Sequence, residues 1–260
     1  TEQPIDPSVP LVKDGVLTAA GTVVQNLGIE QYQSGLDALA MQTWLPLAEQ
    51  GHGESQHNMG VMLSKGDKGI PINNALALSW YERAAANGYD QSMLDLGFAY
   101  FNGTSLGIVK PDLIKSVMWL QKCADVGNTI CESTLGQLQV SGDEKIRNIE
   151  AGLAMLQRAA GKEDPQANSA LGLMYLHGTN YPQDFDRAYT LFKKAIDRNP
   201  QAEDALFNLG VMYEEGYGRP IDIKKAVTYY SYASLNGKAE ANNNLGMLYR
   251  NGHTEKEKQS

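Results

Sequence analysis

The sequence has little cysteine, little basic charge and no long apolar run. Only two of its 260 residues are cysteine, so a disulfide-dense scaffold is excluded. The 22 Lys and Arg are outnumbered by 30 Asp and Glu, and the formal charge of -8 argues against a nucleic-acid or anionic-membrane surface. No stretch approaches the roughly 18 apolar residues of a membrane-spanning helix. With 42% hydrophobic residues, the chain is predicted to be soluble and globular, and a basic protein partner is the easiest to accommodate.

The first ten residues, TEQPIDPSVP, lack the basic and apolar regions of a signal peptide. Because the chain begins at Thr1 rather than Met, we expect that it was trimmed, either by a signal peptidase or during its preparation. The sequence leaves both origins open.

An internal repeat is the strongest pattern in the chain. Six segments share one frame around a glycine, at intervals of 36 to 39 residues, and these glycines are Gly60, Gly97, Gly136, Gly172, Gly210 and Gly246. A second glycine follows each of them by six positions, at Gly66, Gly103, Gly142, Gly178, Gly216 and Gly252. The first glycine is predicted to lie inside a helix, here called helix A, where another helix backbone approaches closely. The second is predicted to end helix A in the left-handed conformation.

The second half of each unit predicts another helix, helix B. In the segment ALSWYERAAANG, Ala77, Trp80, Tyr81 and Ala84 recur at spacings of three and four residues. Such spacing places small and aromatic residues on one helical face, so these side chains are predicted to be core residues rather than a cofactor site. Two antiparallel helices per unit follow, stacked so that neighbouring units share a core.

This pattern of Leu-Gly, Tyr, a loop glycine and a helix B rich in Ala, Trp and Tyr resembles the Sel1-like repeat, a relative of the tetratricopeptide repeat. The resemblance covers residues 36–252 and implies an all-α fold, a right-handed α-solenoid of about five full helix pairs with terminal half-units. The third unit departs from the pattern, because Gln139 stands where Tyr is expected and its helix B carries Met155 and Leu156. Residues 36–51 look like a helix B, and its partner is expected within a partly extended N-terminal segment, residues 1–35. A charged tail, residues 253–260, is expected to fray.

The two cysteines occupy positions where the other units have small residues. Cys123 takes the slot of Ala84 on the last turn of helix B, and Cys131 takes that of Ser92 on the first turn of the next helix A. Since two helices touch there, the Cα atoms are expected to lie within disulfide distance, and a disulfide staple is the best fit. Two buried free thiols remain an open alternative. A zinc site is not expected, because no histidine is placed beside the pair, and a Cys-x-x-Cys redox motif is absent.

A disulfide would imply an oxidising compartment. The pair also resembles the spacing in a cysteine-rich group of Sel1-like proteins that bacteria export. Together these features predict a periplasmic or secreted protein.

Catalytic motifs are missing from the sequence. No Ser stands three residues before a Lys, and neither Gly-x-Ser-x-Gly nor His-Glu-x-x-His occurs. We therefore expect no enzyme activity, no cofactor and no metal.

The remaining candidate is a binding groove lined by helix A, as in other superhelical repeats. By analogy with tetratricopeptide geometry, the partner-binding positions are Gln91, Leu94, Phe98, Phe101 and Asn102 in the second unit, Gln166, Ser169, Leu173, Leu176 and His177 in the fourth, Asp204, Phe207, Val211, Glu214 and Glu215 in the fifth, and Glu240, Asn243, Met247, Arg250 and Asn251 in the last. Whether neighbouring repeats instead bury Phe98 or Val211 is open at this stage.

The first hypothesis for function is a non-enzymatic solenoid of the bacterial envelope that binds another protein. The resemblance includes periplasmic immunity proteins that neutralise phospholipase toxins delivered by neighbouring bacteria, through type VI secretion. One alternative is an enzyme like the cysteine-rich Sel1-like proteins credited with binding or hydrolysing β-lactams, and another is a host-facing secreted factor. The oligomeric state is left open.

Overall fold

The structure is a computed structural model that describes residues 9–66, 68–103 and 110–250. The predicted stop Gly252, the groove position Asn251 and the tail 253–260 lie outside these residues. The chain divides into two compact units, Thr1–Cys131 and Glu132–Ser260, which we call unit 1 and unit 2.

Helices make up nearly all of the regular structure in the described residues. Unit 1 opens with a hairpin of β1 (Val12–Lys13) and β2 (Val16–Leu17), paired antiparallel. Its helices are α1 (Ala19–Gln33), α2 (Asp37–Glu49), α3 (Gly53–Lys65), α4 (Asn74–Ala86), α5 (Asp90–Asn102) and α6 (Leu113–Asp125). The boundary between the units falls inside α7 (Thr129–Ser141). Unit 2 continues with α8 (Ile149–Gly161), α9 (Pro165–His177), α10 (Phe185–Arg198), α11 (Glu203–Glu215), α12 (Ile223–Leu235) and α13 (Ala239–Arg250).

Odd-numbered helices are the A helices of the repeat and even-numbered helices are the B helices. Within unit 1, α1 packs on α2, α3 on α4 and α5 on α6, and within unit 2, α9 packs on α10 and α11 on α12. Each B helix named here except α6 also contacts the next A helix of its own unit. The predicted all-α fold of stacked helix pairs is confirmed.

Asparagine or aspartate begins the B helices α4, α6, α8, α10 and α12, whereas α2 begins at Leu36 without a side-chain cap. A side-chain oxygen at the N-cap accepts a hydrogen bond from the backbone N–H three residues later, which satisfies one of the free donors of the first turn. The capping residues are Asn73, Asp112, Asn148, Asp184 and Asp222. One polar residue in each of these units therefore marks the point where the turn ends and helix B begins.

Glycine ends four of the A helices as predicted. Gly66, Gly103, Gly178 and Gly216 have φ between 68° and 74°, the left-handed region that other residues rarely adopt. Gly142 also follows the last residue of its A helix, Ser141, but the left-handed conformation predicted for it is wrong, because it is not among the described glycines with positive φ. Its N–H donates to Leu138 O, as the N–H groups of Gly66 and Gly103 do to their own helices, and its carbonyl accepts from the Arg147 side chain.

The glycines inside the A helices lie against the B helices. Five of them face a large side chain, in the pairs Gly60 with Tyr81, Gly97 with Leu120, Gly136 with Leu156, Gly172 with Phe192 and Gly210 with Tyr230. The close neighbour is thus mainly a side chain, and only at Gly136 does a backbone atom of the facing helix, Gly152 O, come as near. Together with buried alanines such as Ala84, Ala195 and Ala233, these contacts form the core of the helix pairs.

In the part of the chain that the structure describes, none of the helices is both long and apolar enough to span a membrane.

Candidate functional site

Cys123 at the end of α6 and Cys131 at the start of α7 form a disulfide bond. Their Cα atoms are 5.8 Å apart, within the range that the aligned slots predicted, and both side chains are fully buried. The free-thiol alternative is therefore wrong. The bond closes the turn between helix B of one repeat and helix A of the next.

Asn128 holds the same turn by hydrogen bonds. Its Oδ1 accepts from the backbone N–H groups of Ile130 and Cys131, which caps the start of α7. Its Nδ2 donates to Asp90 Oδ2, 2.7 Å away at the start of α5. The disulfide and Asn128 therefore fix the turn on both sides, which indicates a structural rather than a redox role for the cysteines.

The surface of α5 in unit 1 carries two exposed aromatic side chains. Phe98 is 37% exposed and Phe101 is 39% exposed, and Gln91 and Asn102 on the same helix are exposed as well. Leu94 differs, because it is only 6% exposed and packs inside the unit. The position of Leu94 on the helix therefore makes it a core residue, whereas Phe98 and Phe101 are available to a partner.

Unit 2 contains a groove that we call the unit-2 groove, with a volume of about 770 Å³. Its walls come from α7, α9 and α11 and from the residues at the start of α13, so four successive A helices contribute. Of the predicted positions, those that line it are Gln166, Ser169, Leu173, His177, Asp204, Phe207 and Glu240.

Apolar side chains form one part of the unit-2 groove. Val140 on α7, Ala170, Leu173 and Met174 on α9, and Phe207 on α11 line it, and Leu173 is 40% exposed. The ring of Phe207 packs on that of Tyr230, with centroids 5.5 Å apart, so its position is set by the core beneath. An exposed apolar lining beside polar groups is typical of a surface that binds a ligand or a partner.

Charged groups cluster at the α11 end of the unit-2 groove. Lys238 Nζ lies 2.6 Å from Asp204 Oδ1 and 3.6 Å from Glu240 Oε1, and 5.8 Å from the centroid of the Phe207 ring. The hydrogen bond to Asp204 raises the pKa of Lys238, so this ammonium stays charged at neutral pH. Glu203 at the start of α11 also lines the groove.

Three predicted groove residues on α11 lie elsewhere. Val211 is half-buried and packs on the cluster around Tyr230, and Glu214 Oε2 accepts a hydrogen bond of 2.6 Å from Tyr230 Oη. Burial and this hydrogen bond both raise the pKa of Tyr230. Glu215 is exposed and does not line the groove.

On the last helix, Met247, Arg250 and Asn243 are exposed, but they do not line the unit-2 groove either. Leu176 on α9 is buried in the core.

Sequence reasoning missed the groove residues that lie outside the aligned positions. Lys238 precedes α13, Asn180 and Asn199 lie in loops, and Gln137 and Val140 belong to the divergent third unit. The analogy with tetratricopeptide geometry counts only positions on helix A, and it was not applied to the third unit. The sequence carried no signal for the contact of Lys238 with Asp204, because the two residues are 34 positions apart.

His57 is a partly buried ionisable group of unit 1. Its Nδ1 lies 2.9 Å from Ser92 Oγ and 3.8 Å from Asp95 Oδ2, and its ring packs on those of Tyr81 and Tyr89. Burial lowers the pKa of His57, and the nearby carboxylate of Asp95 offsets part of that effect.

Among the described residues, no group of three or more His, Cys, Asp or Glu side chains could hold a metal ion.

Comparison with known proteins identifies the repeat. The family model described as the Sel1 repeat matches residues 53–89, 90–128, 135–164, 165–200, 203–238 and 239–259. Sel1-repeat-containing protein YjcO of Escherichia coli K12 is 26% identical over 177 residues, which is 67% of this chain and 74% of that protein.

Solved structures show the same fold. A Sel1 repeat protein from Oxalobacter formigenes superposes with a TM-score of 0.77 at 28% identity, over 88% of this chain and 89% of that one. Immunity protein PA5088 from Pseudomonas aeruginosa superposes with a TM-score of 0.52 at 17% identity, over 90% of this chain and 89% of that one. At that identity the second likeness is one of fold alone.

Proposed function

This chain belongs to the Sel1 repeat family, and from that premise we propose that it is a non-enzymatic protein of the bacterial envelope that binds another protein. The observation that carries the proposal is the unit-2 groove, which leaves Leu173 exposed among the A helices. Repeat proteins use the surface of successive helices to bind extended partners, since each repeat adds one strip of contact area. Proteins of this family are generally protein-interaction scaffolds, and the family model that matches the chain is that of the repeat.

The finer proposal is that the partner is a secreted phospholipase toxin, which the chain neutralises as an immunity protein. The fold shared with PA5088, named as an immunity protein, supports it, as does a chain composed largely of repeats. Neutralisation would act by occlusion, because a bound repeat surface blocks access to a catalytic site without reacting.

The proposed location is the periplasm or the cell exterior. The disulfide between Cys123 and Cys131 supports it, since structural disulfides persist mainly in oxidising compartments.

The binding proposal is tested with three baits in an envelope extract of the source organism, followed by mass spectrometry. The baits are the unaltered chain, Leu173→Asp and Leu235→Asp. Leu235 is the matched control, because it is 81% exposed and does not line the groove. We expect Leu173→Asp to lose the partner that the other two retain. Equal retention by all three baits would contradict a role for the groove.

The immunity proposal has its own test. Purified chain is titrated into candidate secreted phospholipases while lipid hydrolysis is measured. We expect one phospholipase to lose its activity at a one-to-one ratio, and full hydrolysis at excess chain for every candidate would refute the finer proposal.

A further inference from the structure

We propose that the unit-2 groove binds an extended, basic segment of a partner protein, with an apolar side chain on Leu173 and a Lys or Arg side chain at the acidic end beside Glu203 and Glu240. This inference rests on the proposed function as a protein-binding repeat and specifies the chemistry of the bound segment.

The size and lining of the groove favour a short segment over a folded domain. A volume of about 770 Å³ lies in the range of concave ligand sites, roughly 300–1,000 Å³. Leu173, Met174 and Val140 line it from two neighbouring A helices, so an apolar side chain placed there would be covered on two sides. Burial of the exposed part of Leu173 would then stabilise the complex.

Polar side chains in the groove favour an extended backbone. The side-chain amides of Gln137, Gln166 and Asn180 line the groove and make no hydrogen bond within the described chain. An amide offers both a donor and an acceptor, which suits the unpaired N–H and C=O groups of an extended segment. The backbone N–H and C=O groups of a helical ligand are bonded within the helix, so they would form no hydrogen bonds with the three amides.

The charge of the groove selects a basic segment. Glu203, Asp204 and Glu240 line it, and Lys238 is the one Lys or Arg among the lining residues that the structure describes. Lys238 is already bonded to Asp204, which leaves an acidic excess on the groove and agrees with the net charge of -8 on the chain. An acidic segment would meet this excess and be repelled.

Acidic side chains are favoured in the first turn of a helix because they interact with the positive end of its dipole. Glu203 and Asp204 lie in the first turn of α11 and Glu240 in that of α13, so this effect alone would explain why acids occur here. What distinguishes this place is the Phe207 ring, which lines the same groove as the acids and the apolar side chains. Lys238 already shows the arrangement, because its ammonium lies near this ring and between two carboxylates. A basic side chain of the partner would find Glu203 and Glu240 at the same end of the groove.

The test uses three synthetic peptides of equal length and the full isotope-labelled chain. Each has a Gly and Ser background, capped ends and two central positions that are two residues apart, so that in an extended conformation both side chains point to the same side. These positions carry Leu and Lys, Leu and Glu, or Ser and Lys. NMR shift mapping should place the Leu/Lys peptide in the unit-2 groove. Its Kd should be about fivefold lower than that of the Leu/Glu peptide, the effect of two exposed ion pairs.

Two double variants distinguish peptide binding by the acids of the groove from a general attraction between the peptide and the negatively charged chain. The double variant Glu203→Gln with Glu240→Gln should bind the Leu/Lys and Leu/Glu peptides equally. Its matched control, Glu150→Gln with Glu215→Gln, makes the same charge change at exposed positions outside the groove and should retain the preference.

Shifts outside the groove, no shift at millimolar peptide, equal affinity of the Leu/Lys and Leu/Glu peptides, or loss of preference in the control pair would each overturn the inference. If the peptides behave as expected but no bait retains a partner, the proposed function fails and this inference stands. If a partner is retained through Leu173 but the peptides show no basic preference, the function stands and the inference fails.

Discussion

The ring of Tyr230 on α12 lies directly against Gly210 on α11. A Cβ atom added at Gly210 would come within 2.6 Å of two ring atoms, Cδ1 and Cε1. Real Cβ contacts are not that short, so an alanine there forces the helices or the ring to move. At Gly246, the equivalent glycine of α13, an added Cβ would have no neighbour within 4 Å among the described residues.

The first prediction compares alanine at these two glycines. Gly210→Ala should lower the free energy of unfolding by about 1–3 kcal/mol through overpacking, even though alanine favours helix. Gly246→Ala should raise it by up to about 1 kcal/mol, because only the gain in helix propensity remains. Urea denaturation followed by circular dichroism measures both. Destabilisation of equal size at both positions would show that the ring contact is not the cause.

The second prediction concerns the disulfide. Replacing Cys123 and Cys131 together by alanine should leave a folded protein, because buried alanines occupy the equivalent slots of other units, Ala84 for Cys123 and Ala167 for Cys131. It should cost about 2–3 kcal/mol of stability, as expected for a loop of this short length. Urea denaturation of the oxidised protein and of the double variant measures the difference.

Mass spectrometry provides the control for the disulfide. The oxidised chain should be about 2 Da lighter than the reduced chain, because the bond removes two hydrogens. Two thiols that react with iodoacetamide under native, oxidising conditions would refute both the bond and the proposed compartment.

The third prediction tests the exposed surface of α5. Phe98→Asp with Phe101→Asp should leave the fold intact, since both rings are more than a third exposed. If a partner contacts this surface, its binding should weaken by several kcal/mol, because large apolar anchors dominate an interface. Calorimetric titration with the isolated partner measures this.

Trp80→Ala is the control for that variant. Trp80 is buried on α4, and its truncation should cost about 3–5 kcal/mol of stability. If the double Asp variant unfolds and Trp80→Ala has little effect, then Phe98 and Phe101 belong to the core and Trp80 to the surface, the reverse of the arrangement described above.

The fourth prediction concerns pH. Because the folded-state pKa of His57 lies below its ordinary value of 6.5, the unfolded chain binds the proton more readily. This contribution to stability is complete above about pH 6.5 and is lost as the pH falls through the folded-state pKa. The free energy of unfolding should therefore fall as the pH is lowered below about 6.5.

His57→Asn is the matching variant, since its amide can still bond to Ser92. Its stability should depend less on pH over the same range, while His52, whose pKa burial also lowers, titrates in both proteins. An identical pH dependence of the two proteins would rule out His57 as the source.

Much of the fold could be predicted from the sequence because the repeat has a fixed glycine frame. The frame located Trp80 in the core and the two cysteines within bonding distance, since each is a local consequence of helical spacing. The left-handed conformation of Gly142 was wrong even though its loop to the N-cap Asn148 is as long as the loops that start at Gly178 and Gly216, so spacing carried no sign of the difference; its carbonyl instead accepts from the Arg147 side chain.

The candidate site was harder to predict, because exposure depends on contacts that spacing does not contain. Leu94 and Phe98 are four residues apart on one helix, yet Leu94 is buried and Phe98 is exposed. Lys238 belongs to a loop, and only the folded chain brings it to Asp204, thirty-four positions earlier.

The side chains that face the A-helix glycines differ in volume along the chain. A repeat protein can pair a helix with the wrong neighbour while it folds, because all of its units have similar patterns. Here the order is Tyr81, Leu120, Leu156, Phe192 and Tyr230. A pairing shifted by one repeat would place Phe192 where Leu156 packs, or leave a void where Tyr81 packs, and each such mismatch would raise the energy of the misaligned chain. We therefore expect the differences in volume at the glycine contacts to favour the native pairing of the helices during folding.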